Sequence, residues 1–259
     1  MLSLALLAIF LALWFLPDVV DRLGRAQDEA WLRVRSTGVM RFATEASYHP
    51  FGGVGSDGVF YGLDIDVARE VARRIGARAD FAGVGIDALY DVLRVGQADA
   101  SISALPIDPA RLGRWAYSRP YFDGGLVLVA PGNSDLGGEA DLTAHTIAVE
   151  RGSDGDARLR YYQRRIMGIA SLALSSAEEA LRAVERAEAD AAILDSLTAR
   201  RLMATQYGDL RIVAQLTHAP YAIAVWAEGG LLLEAVDRAL DDMQADGTLD
   251  RLVRAWLTK

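Results

Sequence analysis

Cysteine is absent from all 259 residues. Disulfides, thiolate nucleophiles, Cys-based zinc sites and an N-terminal lipidated cysteine are therefore excluded. Histidine is scarce. His49, His145 and His218 lie far apart in the chain and show no metal-ligand spacing such as H-E-x-x-H. Positive charge is the minority sign: 27 Lys and Arg against 35 Asp and Glu leave a net charge of −8. With no basic cluster of nucleic-acid size, that balance argues against DNA or RNA as a partner. No G-x-S-x-G elbow and no Walker sequence occurs. GVGSDG (53–58) imitates a dinucleotide fingerprint but follows a loop and opens no helix. GVGIDA (83–88) is better placed, yet no acidic ribose partner ends a strand about 20 residues on. The sequence therefore implies no cofactor and no nucleophilic or metal catalysis.

What is present begins with one long apolar run, LSLALLAIFLALWFL over 2–16. As a helix it would reach about 22 Å, short of the ~30 Å hydrocarbon core and close to a signal-peptide core. No Lys or Arg precedes it and no A-x-A site follows. Pro17, Val19 and Val20 could extend it into an anchor. The expectation is export through residues 1–20, as a signal or as an uncleaved membrane tether, with a connector over 21–37.

Beyond the connector, short apolar strands alternate with amphipathic helices. VMRFAT (39–44), ADFAGV (79–84) and ADASISAL (98–105) read as strands; 64–77 and 87–96 read as helices. The pattern returns with strands at 145–150, 171–175 and 189–194 and helices at 154–166 and 177–188. Such alternation predicts a mostly parallel α/β sheet. ALYDVLRVGQADASISA and ALRAVERAEADAAILD both read as a helix, Ala-Asp-Ala, then a strand. This echo predicts two lobes of similar build: 38–124 with 219–259, and 125–218. The glycine-flanked extended segments at 121–132 and 220–230 would join them as a hinge.

PIDPARLGRWAYSRPY (106–121) poses a question, since it carries Arg111 into a turn crowded with aromatics. In open parallel sheets ligands bind beyond the carboxyl ends of strands. Arg111 follows such an end, and its guanidinium can grip a carboxylate through two hydrogen bonds. In the second lobe the corresponding strand ends at Asp195. ERGSDGD (150–156) adds Ser153 and backbone N–H groups at a helix start. A cation in one lobe and an anion in the other complement a zwitterion. Each residue also has a plain alternative: a surface ion pair for Arg111, helix caps for Asp195 and Ser153, and lobe packing for Tyr48 and Phe51.

Taken with GVMRFATEASYHPF, GLDIDVAREVARRIGA, GQADASISALPIDPARLGRWAYSRPYF, IAVERGSDGDA, ADAAILDSLTA and DGTLDRLVRAWL, the chain over about 32–259 resembles the family 3 extracellular solute-binding proteins. These are periplasmic amino-acid receptors of ABC importers. The resemblance implies a two-lobed type II periplasmic-binding fold that closes over a small ligand, and an ABC permease as partner. It places Arg111 where the family clamps the α-carboxylate and Asp195 where it holds the α-amino group. Ser153 and Asp154 fall on the carboxylate-binding turn, and Tyr48 on the aromatic that stacks on the ligand. Two departures stand out. Ala104, Pro106 and Asp108 replace a Gly-x-Thr-x-Thr pattern, and Pro106 has no N–H to donate. Ile86 stands where the family often has an aromatic. Glu45, Asp108, Asp154 and Asp195 together would surround one arginine with carboxylates, which predicts a polar or cationic ligand. The alternatives are an accessory protein-interaction module with a degraded pocket, and an enzyme on the same fold, for which no acid–base constellation is visible.

Overall fold

The computed structural model describes residues 28–228 and 230–257. The apolar run over 2–16, and with it the expected signal or tether, lies outside the described residues. Among the described residues no helix is long and apolar enough to cross a membrane.

The first elements are α1 (Glu29–Thr37), β1 (Val39–Thr44), β2 (Gly53–Val54), β3 (Phe60–Tyr61), α2 (Leu63–Ile75) and β4 (Arg78–Gly83). Then come α3 (Asp91–Arg94), β5 (Ala100–Ser101), β6 (Trp115–Tyr117), β7 (Phe122–Asp123), β8 (Leu126–Pro131) and β9 (Thr146–Glu150). Next follow α4 (Asp154–Gln163), β10 (Ala170–Leu174), α5 (Ala177–Glu185), β11 (Ala191–Asp195) and α6 (Ser196–Thr205). The last are β12 (Leu210–Gln215), β13 (Pro220–Tyr221), β14 (Ala224–Trp226), α7 (Gly230–Ala245) and α8 (Thr248–Leu257). They form two compact units. The first runs to Arg119 and resumes over Ala222–Leu249; the second comprises Pro120–Tyr221 and the chain from Asp250 onward.

Each unit holds a five-stranded sheet, ordered β4-β1-β5-β14-β6 in the first and β10-β9-β11-β8-β12 in the second. The plan is the same in both. Three parallel strands lie together, and a fourth, antiparallel one separates them from the fifth. The antiparallel member is in each case the strand laid down after the chain has crossed from the other unit. The sheets are therefore mixed rather than wholly parallel.

In the second unit the strands bury both faces. Val127 and Val129 of β8 join Ala192 and Leu194 of β11 on one face, under Ala180, Leu181 and Val184 of α5. Leu128 and Ala130 join Ala191 and Ile193 on the other, under Leu159 and Tyr162 of α4. This is the period of two that a strand imposes, and two covered faces explain why β8 reads as an unbroken apolar run. In the first unit α1 is more than a connector. Asp28 caps it through Trp31 N–H (2.8 Å) and also accepts from Leu232 N–H of α7 (2.9 Å). Arg33 of the same helix, with Arg41, pairs with the fully buried carboxylate of Asp99.

Two expected elements are shorter than their sequence pattern. The helix expected over 87–96 is a 3-10 turn, Ile86–Ala88, then the single helical turn α3. Between them the Tyr90 carbonyl is shared by Arg94 N–H (3.4 Å) and the indole N–H of Trp115 (3.1 Å). The strand expected over 98–105 pairs only at Ala100 and Ser101. Before it, the Asp99 side chain rather than a strand partner accepts Arg41 N–H (2.8 Å). After it, Ala104 sits at φ 44° and turns the chain off the sheet.

Candidate functional site

In the first unit the candidate residues gather beyond the carboxyl ends of β1, β4 and β5. Ser103 ties two of these ends, accepting from Glu45 N–H (3.2 Å). The Glu45 carboxylate bends back onto the hydroxyl and N–H of Ser47. The Ala104 N–H is donated to Asp64 Oδ2 at 2.7 Å, and Asp64 is fully buried at the start of α2. That backbone donor is thus already used, and Pro106 offers none. Tyr48 lies stacked on the buried ring of Phe51, centroids 5.4 Å apart and planes 21° apart, and is 46% exposed. Ile86, on the 3-10 turn after β4, is 64% exposed.

Arg111 closes a 3-10 turn, Pro109–Arg111, which Asp108 caps through Ala110 N–H (2.9 Å). The second oxygen of Asp108 accepts from Arg111 Nε at 3.1 Å. The guanidinium carbon lies 4.2 Å from the centroid of Tyr90 and 5.8 Å from that of Trp115. Tyr90 is itself fixed, edge-on to Trp115 at 5.3 Å and bonded hydroxyl to hydroxyl with Tyr117 at 2.9 Å. Burial and that hydroxyl contact raise the Tyr90 phenol well above its ordinary pKa. It stays neutral, and its face remains a platform for a cation. Arg111 is therefore stacked on one face and engaged at Nε.

In the second unit the candidates Asp154 and Asp195, but not Ser153, line one cavity of about 610 Å³, with Gly124, Gly125, Leu126, Ala157, Arg158, Tyr161, Thr217 and Ala219. Asp195 is the last residue of β11 and caps α6, accepting from Thr198 N–H at 2.8 Å. One oxygen serves the cap; the residue still lines the cavity. Ser153 caps α4 by accepting from Asp156 N–H (3.2 Å). Much of the turn expected to offer N–H groups is satisfied internally. Gly152 N–H goes to Asp156 Oδ2 (2.8 Å), and Ser153 N–H to Glu150 O (3.2 Å). That Gly152 bond, together with Arg160, holds the Asp156 carboxyl below its ordinary range despite burial. Gly155 allows α4 to start against the end of β11: a Cβ there would stand 2.6 Å from Ile193 O. This close approach brings Asp154 and Asp195, 41 positions apart, to one cavity.

Ala157, Arg158 and Tyr161 were not singled out in the sequence, nor were Thr217 and the Gly124–Gly125 pair. For the helical three a signal exists. Residues 154, 157, 158 and 161 follow i, i+3, i+4, i+7 spacing, one face of α4, across the helix from its buried Leu159. The loop residues leave no such pattern.

Residues 40–259 match the family model for bacterial extracellular solute-binding proteins, family 3. The chain is 25% identical over 222 residues to ABC transporter arginine-binding protein 1 of Escherichia coli (strain K12), covering 84% of this chain and 90% of that one. It is 26% identical over 233 residues to L-cystine-binding protein TcyJ of the same strain, covering 88% and 86%. Among solved structures, the L-cystine solute receptor of Neisseria gonorrhoeae in its unliganded open conformation gives a TM-score of 0.72 at 24% identity. That match covers 88% of this chain and 96% of the receptor. At that identity the likeness speaks for the fold, which is the two-lobed α/β solute-receptor fold.

Proposed function

This chain belongs to the bacterial extracellular solute-binding proteins, family 3, and we propose that it captures an amino acid for delivery to an ABC-type permease or for sensing. The observation that carries this reading is the cavity of the second unit, lined both by the strand-end carboxylate of Asp195 and by Asp154. Asp195 holds the α-ammonium. Arg111, pre-oriented on Tyr90, holds the α-carboxylate. Tyr48 stacks on the ligand, Ser153 and Asp154 line its polar end, and Glu45, Ile86 and Ala104 border it. The acidic lining favours a polar or basic amino acid over an acidic or large aliphatic one. The protein performs no chemistry on this reading, in keeping with relatives that are named as binding proteins. It works outside the cytoplasmic membrane, either released or held by residues 1–20. The two lobes are proposed as 38–124 with 219–259 and 125–218.

Calorimetry with arginine, lysine, glutamine, glutamate and leucine side by side tests the reading. Tightest binding by arginine or lysine is expected; tightest binding by glutamate or leucine would reject the charge argument.

One observation favours a second reading. Ala104 N–H is already donated to Asp64 and Pro106 has none, so the loop before Arg111 offers a carboxylate fewer donors. A protein-interaction module with a weakened pocket would tolerate that loss. Absence of any thermal stabilisation by amino acids, organic acids or amines would put this reading first.

A further inference from the structure

The helix α4 carries two acid–arginine pairs at the same spacing, and the structure treats them differently. Asp156 and Arg160 close a salt bridge at 2.7 Å. Asp154 and Arg158 also stand at i, i+4 with the acid toward the N-terminus, the favoured order for such a pair, yet among the described residues no salt bridge joins them. Both line the cavity of the second unit. Instead of a carboxylate, the Arg158 guanidinium lies against two aromatic rings, 5.4 Å from the centroid of Tyr161 and 5.7 Å from that of Tyr162. Asp154 is held in the first turn of α4, where the helix dipole favours a negative charge without any side-chain partner. Each charge is therefore fixed by its own support and stays open to the cavity.

We propose that Asp154 and Arg158 form a receptor for a second ammonium–carboxylate head, so that the ligand is a diamino dicarboxylic acid. This rests on the assignment of the first head to Asp195 and Arg111. An ammonium alone would satisfy Asp154 and leave Arg158 desolvated, and a carboxylate alone would do the reverse. A zwitterionic head satisfies both and leaves the net charge of the cavity unchanged. The cavity, about 610 Å³, falls within the size range of small-molecule sites.

The test is calorimetry on the full chain with ligands that differ by one charged group. Meso-2,6-diaminopimelate is compared with lysine, which lacks the far carboxylate, and with 2-aminopimelate, which lacks the far ammonium. L-Cystine is compared with S-methylcysteine, which lacks the whole second head. Whichever two-headed skeleton binds should do so roughly tenfold or more tightly than its truncated partners, the effect of removing one charge-assisted hydrogen bond. Arg158→Gln should collapse the diaminopimelate-to-lysine ratio, or the cystine-to-S-methylcysteine ratio, to below threefold. Asp154→Asn should do the same to the ratio against 2-aminopimelate. Circular dichroism of each variant confirms folding, and the wild-type ligand series decides the question even if a variant fails to fold. Truncated ligands binding within threefold of their parents, or ratios unmoved by both substitutions, would overturn the second head and leave the amino-acid reading standing. Binding of arginine or lysine with neither two-headed skeleton would do the same. No binding by any amino acid would overturn both.

Discussion

At the scale of single residues, the aromatic crowd around Arg111 serves the arginine. A guanidinium on a mobile side chain loses rotamer freedom when it grips an anion. Tyr90, Trp115 and Asp108 take up part of that ordering before any ligand arrives. Arg111→Ala should weaken binding of a carboxylate-bearing ligand by about 2–5 kcal/mol, because the ligand charge loses its buried partner. Circular dichroism should stay native, since the side chain is 43% exposed and outside the core. Unchanged affinity would reduce Arg111 to a surface ion pair. Tyr90→Ala should cost less, about 0.5–1 kcal/mol of affinity, the value of one partly exposed cation–π contact. Tyr90→Phe should retain most of it. In an Arg111→Ala background the Tyr90 substitution should have no further effect on affinity; an additive loss would mean that Tyr90 acts elsewhere. That Arg111 follows a turn was legible from Pro106, Asp108 and Pro109. The stacking was not, because Tyr90 stands 21 positions earlier and only the fold of the first unit brings it across.

At the scale of elements, closeness of backbone decides how α4 meets β11. Gly155→Ala should destabilise the protein by about 1–3 kcal/mol, since the new methyl would press on the Ile193 carbonyl and the helix must retreat. The same retreat should weaken ligand binding, because Asp154 and Asp195 line one cavity and α4 would shift its share of that lining. Normal melting together with normal affinity would show that the contact relaxes freely. A second element-level effect lies where the chain enters the second unit. Burial would raise the Asp123 carboxyl pKa, but hydrogen bonds from Ala219 N–H, His218 and Gly125 N–H outweigh it and hold the pKa below its ordinary value. A carboxylate with a lowered folded pKa contributes stability above its unfolded pKa of about 3.9 and loses it as pH falls through the folded value. Asp123→Asn should therefore lower the melting temperature at pH 7, and the gap from wild type should shrink below about pH 4. A gap that persists at pH 3 would assign the loss to packing rather than charge.

At the scale of the whole molecule, ligand binding and folding are linked. A ligand at 100 times its Kd should add about 2.7 kcal/mol, a rise of roughly 5–10 °C in melting temperature for a chain of this size. No rise with any amino acid would favour the interaction-module reading. By itself the sequence determined the class of architecture. Alternating strand and helix periods point to α/β units, and the Ala-Asp-Ala echo between halves suggests two of similar build, because periodicity is a local consequence of which faces must be buried. It also excluded cysteine chemistry, and placed Arg111 beyond one strand and Asp195 at the end of another. The length of β5 and α3 was beyond its reach, since the Asp99 side chain and the Tyr90 carbonyl are claimed by donors distant in sequence, the Arg41 backbone N–H and the Trp115 indole. So was the use of Ala104 N–H by Asp64, a bond between residues 40 positions apart. Only the tertiary structure set Asp154, Arg158 and Asp195 around one cavity. That arrangement depends on a glycine-scale approach between a helix start and a strand end, which no local pattern encodes.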